Sequence, residues 1–303
     1  MDNYLVSVII PNYNHARYLD ERIQTVLDQT YQNFELIILD DCSSDNSKEI
    51  IEKYRHNPHV SHILYNEHNS GKIFSQWQKG IDKAKGELIW IAESDDKCRP
   101  ELLEKLVSEF QNNKNLVVAF CKTVFFSDNG HELFTHTIDV EEKNHFSNVE
   151  FVSQYMSRGC PMLNASACLF KKETAQEIDN LYMDFKGAGD RLFWTLMCEC
   201  GDVAVVNEYL NYMRQHPNNS TKRNFQTGIN QKEDKVILDY IYNKNYISKK
   251  EYDEIRKKYW KPYIYQYVTD KQLKSELYKL WGCGPLQILL LKLKNNRLTA
   301  LYK

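Results

Sequence analysis

An α/β fold is what this sequence predicts: a mostly parallel sheet flanked by helices, followed by a C-terminal helical appendage. Three observations predict it. Apolar runs of strand length alternate with segments of helical periodicity through much of the 303-residue chain. The early strands run out into polar loops rather than into tight hairpins. Beyond about Thr221 the character changes to Tyr- and Lys-rich helical stretches.

The first unit is a buried strand from Leu5 to Ile10, a loop from Pro11 to Ala16, an amphipathic helix from Tyr18 to Gln29 and a strand from Phe34 to Leu39. Strand, helix, strand is the βαβ unit of a parallel sheet. A second helix follows the Ser43-Ser44-Asp45 cap, a short strand follows at His62 to Tyr65, and Gly71 to Lys85 reads as helical before a strand at Glu87 to Ala92. Pro100 suits the first position of a helix reaching about Asn113. The strand Leu116 to Phe126 then leads to an Asp128-Asn129-Gly130 turn. Asn164 to Phe170 is a further strand and Asp190 to Cys200 a buried helix.

At 42% hydrophobic the chain can bury a real core, and 39 basic against 41 acidic residues leave a net charge of -2 with no overall pull toward nucleic acid. The start, MDNYLVSVIIPNYN, lacks a basic segment before a long apolar stretch, and no run reaches the ~18 apolar residues of a spanning helix, so a cytoplasmic protein is expected. The 8 cysteines are scattered, without disulfide-scaffold or zinc spacing, and are expected as reduced core hydrophobes.

In open α/β sheets ligands bind outside the carboxyl ends of the strands, so the loops at Asn12, Asp40 and Asp95 should face one crevice. Neighbouring carboxylates there repel unless a cation offsets them. Asp95 and Asp96, after so apolar a strand, therefore point to Mn²⁺ or Mg²⁺ with phosphate as co-ligand, whereas a helix cap explains Asp45. His216 is a competent third ligand, and Arg214 beside it could bind phosphate. Tyr13 could offer an aromatic face to a nucleobase and Asp41 could accept a base N–H, against the plainer alternative of loop packing for Tyr13. The series His56, His59, His62 lies in a polar connector without a carboxylate pair and receives no role. Ser70-Gly71-Lys72 lacks the first Gly of a phosphate loop, with Asn66 in its place, so Lys72 reads as a simple nucleotide contact. The loop Pro11-Asn12-Tyr13-Asn14-His15 has no Gly-rich turn, which argues against a dinucleotide enzyme.

With these residues placed, the sequence resembles the family 2 glycosyltransferases over roughly residues 5–220. The matching segments are SVIIPNYNHARYLDERIQTVLDQTYQNFELIILDDCSSDNS and KGIDKAKGELIWIAESDD, then NASACLFKKE, GAGDRLFW and YMRQHPNNS in the expected order. The resemblance implies a GT-A fold and an inverting transfer from a nucleotide diphosphate sugar, with UDP-sugars favoured, to a saccharide or lipid-linked saccharide acceptor. It also implies that Pro11, Tyr13 and Asp41 hold the nucleobase, that Asp95 and Asp96 form the DXD-type motif, and that His216 completes the metal shell. Asp190 would be the catalytic base. Glu93 stands where many relatives carry the first Asp of the motif, and Gly189 leaves Asp190 as the sole carboxylate at the base position.

The domain division that follows is a catalytic unit over 1–220, with a nucleotide half of about 1–98 and an acceptor half of about 99–220, and a helical region over 221–303. The rival from another class is a catalytically inactive binding or assembly subunit of the same fold. In the C-terminal region, Arg256, Lys257, Lys258, Lys261, Lys271, Lys274, Lys279, Lys292, Lys294 and Arg297 interleave with Trp260, Tyr263, Tyr265, Tyr267, Trp281 and Leu289 to Leu291. That pattern suits peripheral contact with the inner face of a membrane, and equally a helical appendage packing its aromatics on the catalytic unit.

Overall fold

All seven residues of β1 (Val6–Asn12) and all seven of β2 (Phe34–Asp40) are buried. Burial on both faces is what a parallel strand covered by helices requires. The protein, seen in a computed structural model that describes residues 3–136, 144–216, 224–258 and 261–282, accordingly has one central sheet with helices packed on it. The remaining strands are β3 (Val60–Tyr65), β4 (Leu88–Ile91), β5 (Lys97–Cys98), β6 (Leu116–Ser127), β7 (Glu132–His136), β8 (His145–Phe146), β9 (Cys168–Lys171) and β10 (Asp202–Gln215). Their order is β3-β2-β1-β4-β9-β6-β10-β5, with β7 beside β6 and β8 beside β10. The longest ladders, β1 with β2 and β6 with β10, are parallel, while β9 inserts antiparallel between β4 and β6.

β1 lies between β2 and β4 and pairs parallel with both, so winding reverses at β1 and the loops leaving β1 and β4 diverge. That divergence opens a crevice. The helix α1 (Ala16–Leu27) buries Leu19, Arg22, Ile23 and Val26, one face at helical spacing. After α2 (Ser47–Glu52) comes α3 (Ile73–Lys83), which buries Gln76, Trp77, Gly80 and Ile81. Gly80 lets α3 lie directly on β1, because a Cβ there would meet the Ile9 side chain at 2.5 Å. Four further helices, α4 (Leu102–Asn112), α5 (Asn148–Phe151), α6 (Lys172–Glu177) and α7 (Gly189–Glu199), complete the layers around the sheet.

Three details differ from expectation. The segment expected as a strand from Asn164 begins as a 3-10 turn over Ala165–Ala167, and only Cys168–Lys171 is strand. Asp45 caps more than the second helix: its Oδ2 accepts from the Ala16 N–H at 2.9 Å and its Oδ1 from the Ser47 N–H at 3.0 Å, joining the starts of α1 and α2. Of the cysteines, Cys98, Cys121, Cys168 and Cys198 are buried free thiols, but Cys42 and Cys200 are exposed.

The C-terminal region forms helices over Ile229–Asn243, Lys249–Lys258, Lys261–Tyr267 and Lys271–Leu280. Trp281 is fully buried and its indole N–H donates to the Gln231 carbonyl at 3.1 Å, so this aromatic packs inside the protein. Trp260, Lys292, Lys294, Arg297, Cys283 and the Leu289 to Leu291 run lie outside the described residues. Among the described residues no helix is long and apolar enough to cross a membrane.

Candidate active site

β1 and β2 end in register, with Asn12 opposite Asp40, and their polar side chains lock the two exit loops together. Asn12 Nδ2 donates to Asp40 Oδ1 at 2.8 Å, and Asp40 Oδ2 accepts from the Ser43 N–H at 2.9 Å. Asn14 and Cys42 hold left-handed backbone, φ 55° and 62°. Asn14 is pinned there by Ser43 Oγ on its N–H at 2.9 Å and by the Ser44 N–H on its Oδ1 at 2.8 Å. The result leaves the Tyr13 ring on the rim, 47% exposed. Asp41 is buried and accepts from the Ser70 N–H at 2.9 Å, Ser70 Oγ at 2.7 Å, Asn66 Nδ2 at 2.5 Å and Gln76 Nε2 at 3.1 Å. Those bonds fix both the carboxylate and the loop that carries the exposed Lys72.

The turn after β4 sends its carboxylates in different directions. Asp95 faces His216, whose Nε2 stands 3.0 Å from Asp95 Oδ2. Asp96 is buried and accepts from Ser166 Oγ at 2.8 Å, from the Arg214 N–H at 3.0 Å and from Asn164 Nδ2. Asp96, expected as a ligand beside Asp95, lines the same cleft, while its oxygens tie the motif to β10 and to the turn before β9. Burial, then the Asp95 charge, pushes the Asp96 carboxyl up to about 7. Burial, then Asp95 and Asp96, pushes Glu93 up to about 8, while Trp77 Nε1 donates to its Oε1 at 3.1 Å. Arg22, fully buried 4.9 Å over the Trp90 ring, lends positive charge to both.

Arg214 is likewise turned to the fold. Its Nε donates to the Asp95 carbonyl at 2.8 Å and its guanidinium to Glu21 at 2.6 Å, between the rings of Tyr18 and Phe126. Arg214, of which a phosphate contact was expected, lines the cleft with a side chain 5% exposed.

His15, a residue without an expected role, joins Asp95 and His216: the ligand atoms of the three lie within 4.8 Å of one another. Cis ligands on an octahedral ion with ~2.1 Å bonds stand about 3 Å apart, which is the spacing His216 and Asp95 already show, 3.0 Å. A carboxylate suits Mn²⁺ and Mg²⁺ and neutral imidazoles suit first-row transition ions, so the mixed donor set fits a divalent transition ion, Mn²⁺ among them. Burial works to raise the Asp95 pKa, but the His216 hydrogen bond and the charge of His15 outweigh it and hold the carboxyl below its ordinary value. His216 is raised by that same bond, and burial lowers His15.

In the same cleft, Asp190 opens α7 and accepts from the Arg191 N–H at 2.7 Å. Burial raises its pKa. The loop leading to it is braced from the C-terminal region. The Glu233 carboxylate accepts from the Lys186, Gly187 and Ala188 N–H groups at 2.8, 2.8 and 2.7 Å, and Arg191 pairs with the buried Asp234 at 2.7 Å. Neither acidic residue was foreseen as part of the site, since the helix carrying them falls beyond the expected boundary near residue 220. Pro11, Tyr13, Asp41, Lys72, Asp95, His216 and Asp190 all line one open cleft of about 680 Å³.

Comparison with known proteins places this cleft in context. The Glycosyl transferase family 2 profile matches residues 7–178. The chain is 36% identical over 116 residues to the putative teichuronic acid biosynthesis glycosyltransferase TuaG of Bacillus subtilis (strain 168), covering 38% of this chain and 45% of that one. It thus spans less than half the length of that relative. Among solved structures, S. aureus TarS 1-349 in complex with UDP is similar with a TM-score of 0.58 at 17% identity, over 91% of this chain and 86% of that one. Mannosyltransferase PcManGT from Pyrobaculum calidifontis, in complex with GDP-Man and Mn2+, is similar with a TM-score of 0.60 at 14% identity, over 99% and 81%. These likenesses show the GT-A fold. With its profile covering more than half the sequence, this chain belongs to glycosyl transferase family 2.

Proposed function

We propose that the protein is a metal-dependent, inverting glycosyltransferase that moves a sugar from a nucleotide diphosphate donor, a UDP-sugar in the favoured case, to an acceptor hydroxyl in polysaccharide or glycoconjugate synthesis. The observation that carries this reading is the shared cleft: a candidate metal cluster at Asp95 and His216, a nucleobase corner at Tyr13 and Asp41, and an isolated carboxylate at Asp190 all open into it. The name of the Bacillus relative, and the UDP and the GDP-Man with Mn2+ in the similar solved structures, agree with the substrate class.

In this reading Pro11 and the Tyr13 ring flank the base, and Asp41 accepts a base N–H at Oδ2, which carries only Ser70 Oγ at 2.7 Å and a second, longer contact from the Ser70 N–H at 3.1 Å, whereas Asn66, the Ser70 N–H and Gln76 all donate to Oδ1. Lys72 reaches the diphosphate from the rim. Asp95 and His216 would hold Mn²⁺ or Mg²⁺, which would supply positive charge to the diphosphate leaving group. Asp190 takes the acceptor hydroxyl's proton as that oxygen bonds to the anomeric carbon, and the bond from that carbon to the diphosphate oxygen breaks with its electron pair leaving on the nucleotide. One displacement gives one inversion. Raising the pKa of Asp190 by burial makes it a stronger base than a solvated carboxylate.

Because the Asp95 carboxylate repels a diphosphate unless a cation lies between them, nucleotide affinity is expected to depend on Mn²⁺ or Mg²⁺. Calorimetry checks this. Equal binding of UDP or GDP in excess chelator, or no binding with metal, removes the metal from the proposal.

A further inference from the structure

We propose that His15 is a direct metal ligand, which with Asp95 and His216 makes a site of two imidazoles and one carboxylate that selects Mn²⁺ or another transition ion over Mg²⁺. The inference rests on the metal-dependent reading above and deepens it.

Three observations carry it. The first is convergence: His15 comes from the loop after β1, Asp95 from the turn after β4 and His216 from the residue after β10, yet their ligand atoms gather within 4.8 Å. The His15 and His216 rings meet edge to face with centroids 5.9 Å apart.

The second is the tie on the far side of the His15 ring. A metal-binding imidazole almost always has its other nitrogen bonded to a protein group, which sets the tautomer and the ring orientation. His15 Nδ1 stands 2.8 Å from Ser94 Oγ, so with Nδ1–H donating to that hydroxyl, Nε2 is left with the lone pair to give. Ser94 is the residue before Asp95, which couples the placement of two ligands through one turn.

The third is rigidity. His15 is the N-cap residue of α1, and its carbonyl accepts from the Tyr18 and Leu19 N–H groups at 2.9 and 3.0 Å. The next N–H, of Ala16, is held by Asp45 at 2.9 Å. The Tyr18 ring meets the imidazole edge to face at 6.0 Å. These contacts hold the His15 Cα and ring in place at the start of α1.

The chemistry of the set then decides the ion. Mg²⁺ is bound through one or two carboxylates with water and phosphate oxygens, whereas imidazole favours the later divalent ions. Two imidazoles and one carboxylate leave a divalent ion with one uncompensated positive charge. That charge faces the cleft where a diphosphate would bind.

The test is pulsed electron paramagnetic resonance of Mn²⁺ on the full-length protein, without nucleotide and again with UDP, for the wild type, His15→Gln and His216→Gln. The wild type is expected to show two coordinated imidazole nitrogens and each variant one. His15→Gln should weaken Mn²⁺ binding by about tenfold or more, with a smaller loss for Mg²⁺, so that the preference between the two ions narrows. A wild-type spectrum with a single imidazole, unchanged in His15→Gln, overturns the inference and leaves the metal-dependent reading standing. A wild type that binds no Mn²⁺ with or without UDP overturns both. Because the count of nitrogens is read on the wild type, a poorly folded variant does not decide the outcome.

Discussion

Replacing Asp190 with Asn is expected to lower transfer by about 10²–10⁴-fold while nucleotide binding is unchanged. Asn keeps the size of the side chain and an oxygen that can accept from the Arg191 N–H, which Asp190 does at 2.7 Å, so α7 should start as before. What is lost is the ability to take a proton. The rate of the wild type should also fall as pH falls, because a protonated Asp190 cannot act as a base. Burial raises its pKa above 3.8, so that acid limb should lie higher than for a solvated aspartate. Initial rates measured with saturating donor, with nucleotide affinity measured separately, check both statements. Near-normal transfer by Asp190→Asn ends its assignment as the base, and lost nucleotide binding reassigns it to holding the donor.

Asp234→Ala is expected to cost about 3–5 kcal/mol of stability, the largest effect on folding among the site's supporting residues. Arg191 and Asp234 are 4% and 6% exposed and bonded at 2.7 Å, so removal of the carboxylate takes from a buried guanidinium its hydrogen-bonded countercharge. Arg191 also donates to the Met156 carbonyl at 2.7 Å, a bond that supplies no countercharge. Thermal unfolding should fall by roughly 10 °C. The double change Arg191→Met with Asp234→Leu should recover much of that loss, because it removes both charges together. A single variant that melts like the wild type would show that the pair is immaterial to stability.

Much of the fold was legible because its central strands are buried on both faces and so read as continuous apolar runs. Phe34 to Leu39 and Leu116 to Phe126 come within a residue of β2 and β6. β10 was not foreseen. Its sequence, DVAVVNEYLNYMRQ, alternates irregularly because its pairing with β6 shifts register near Val206 and Tyr209, and exposed Asn207 and Glu208 interrupt the apolar period there.

Of the proposed site residues, Asp41 and Asp95 stand just past strand ends, where residue type and position coincide, whereas Asp190 lies in the first turn of α7. The site was not legible where only tertiary packing decides. Asp95 and Asp96 are adjacent in sequence, yet a turn sends one toward His216 and the other into hydrogen bonds with Asn164, Ser166 and Arg214. Glu233 reaches the Gly187 N–H from 46 residues along the chain, and no local spacing announces such a brace. His15 stood in a loop already expected to face the crevice. Its signal was only position.

The most direct measurement of the proposed activity is release of UDP or GDP from a panel of nucleotide sugars, with Mn²⁺ and with excess chelator. Glycosyltransfer of the kind proposed predicts slow hydrolysis of at least one donor with Mn²⁺, abolished by the chelator and by Asp95→Ala. Absence of release from every donor, with nucleotide affinity indifferent to metal, contradicts it and favours a binding or assembly subunit that has kept the fold without the chemistry.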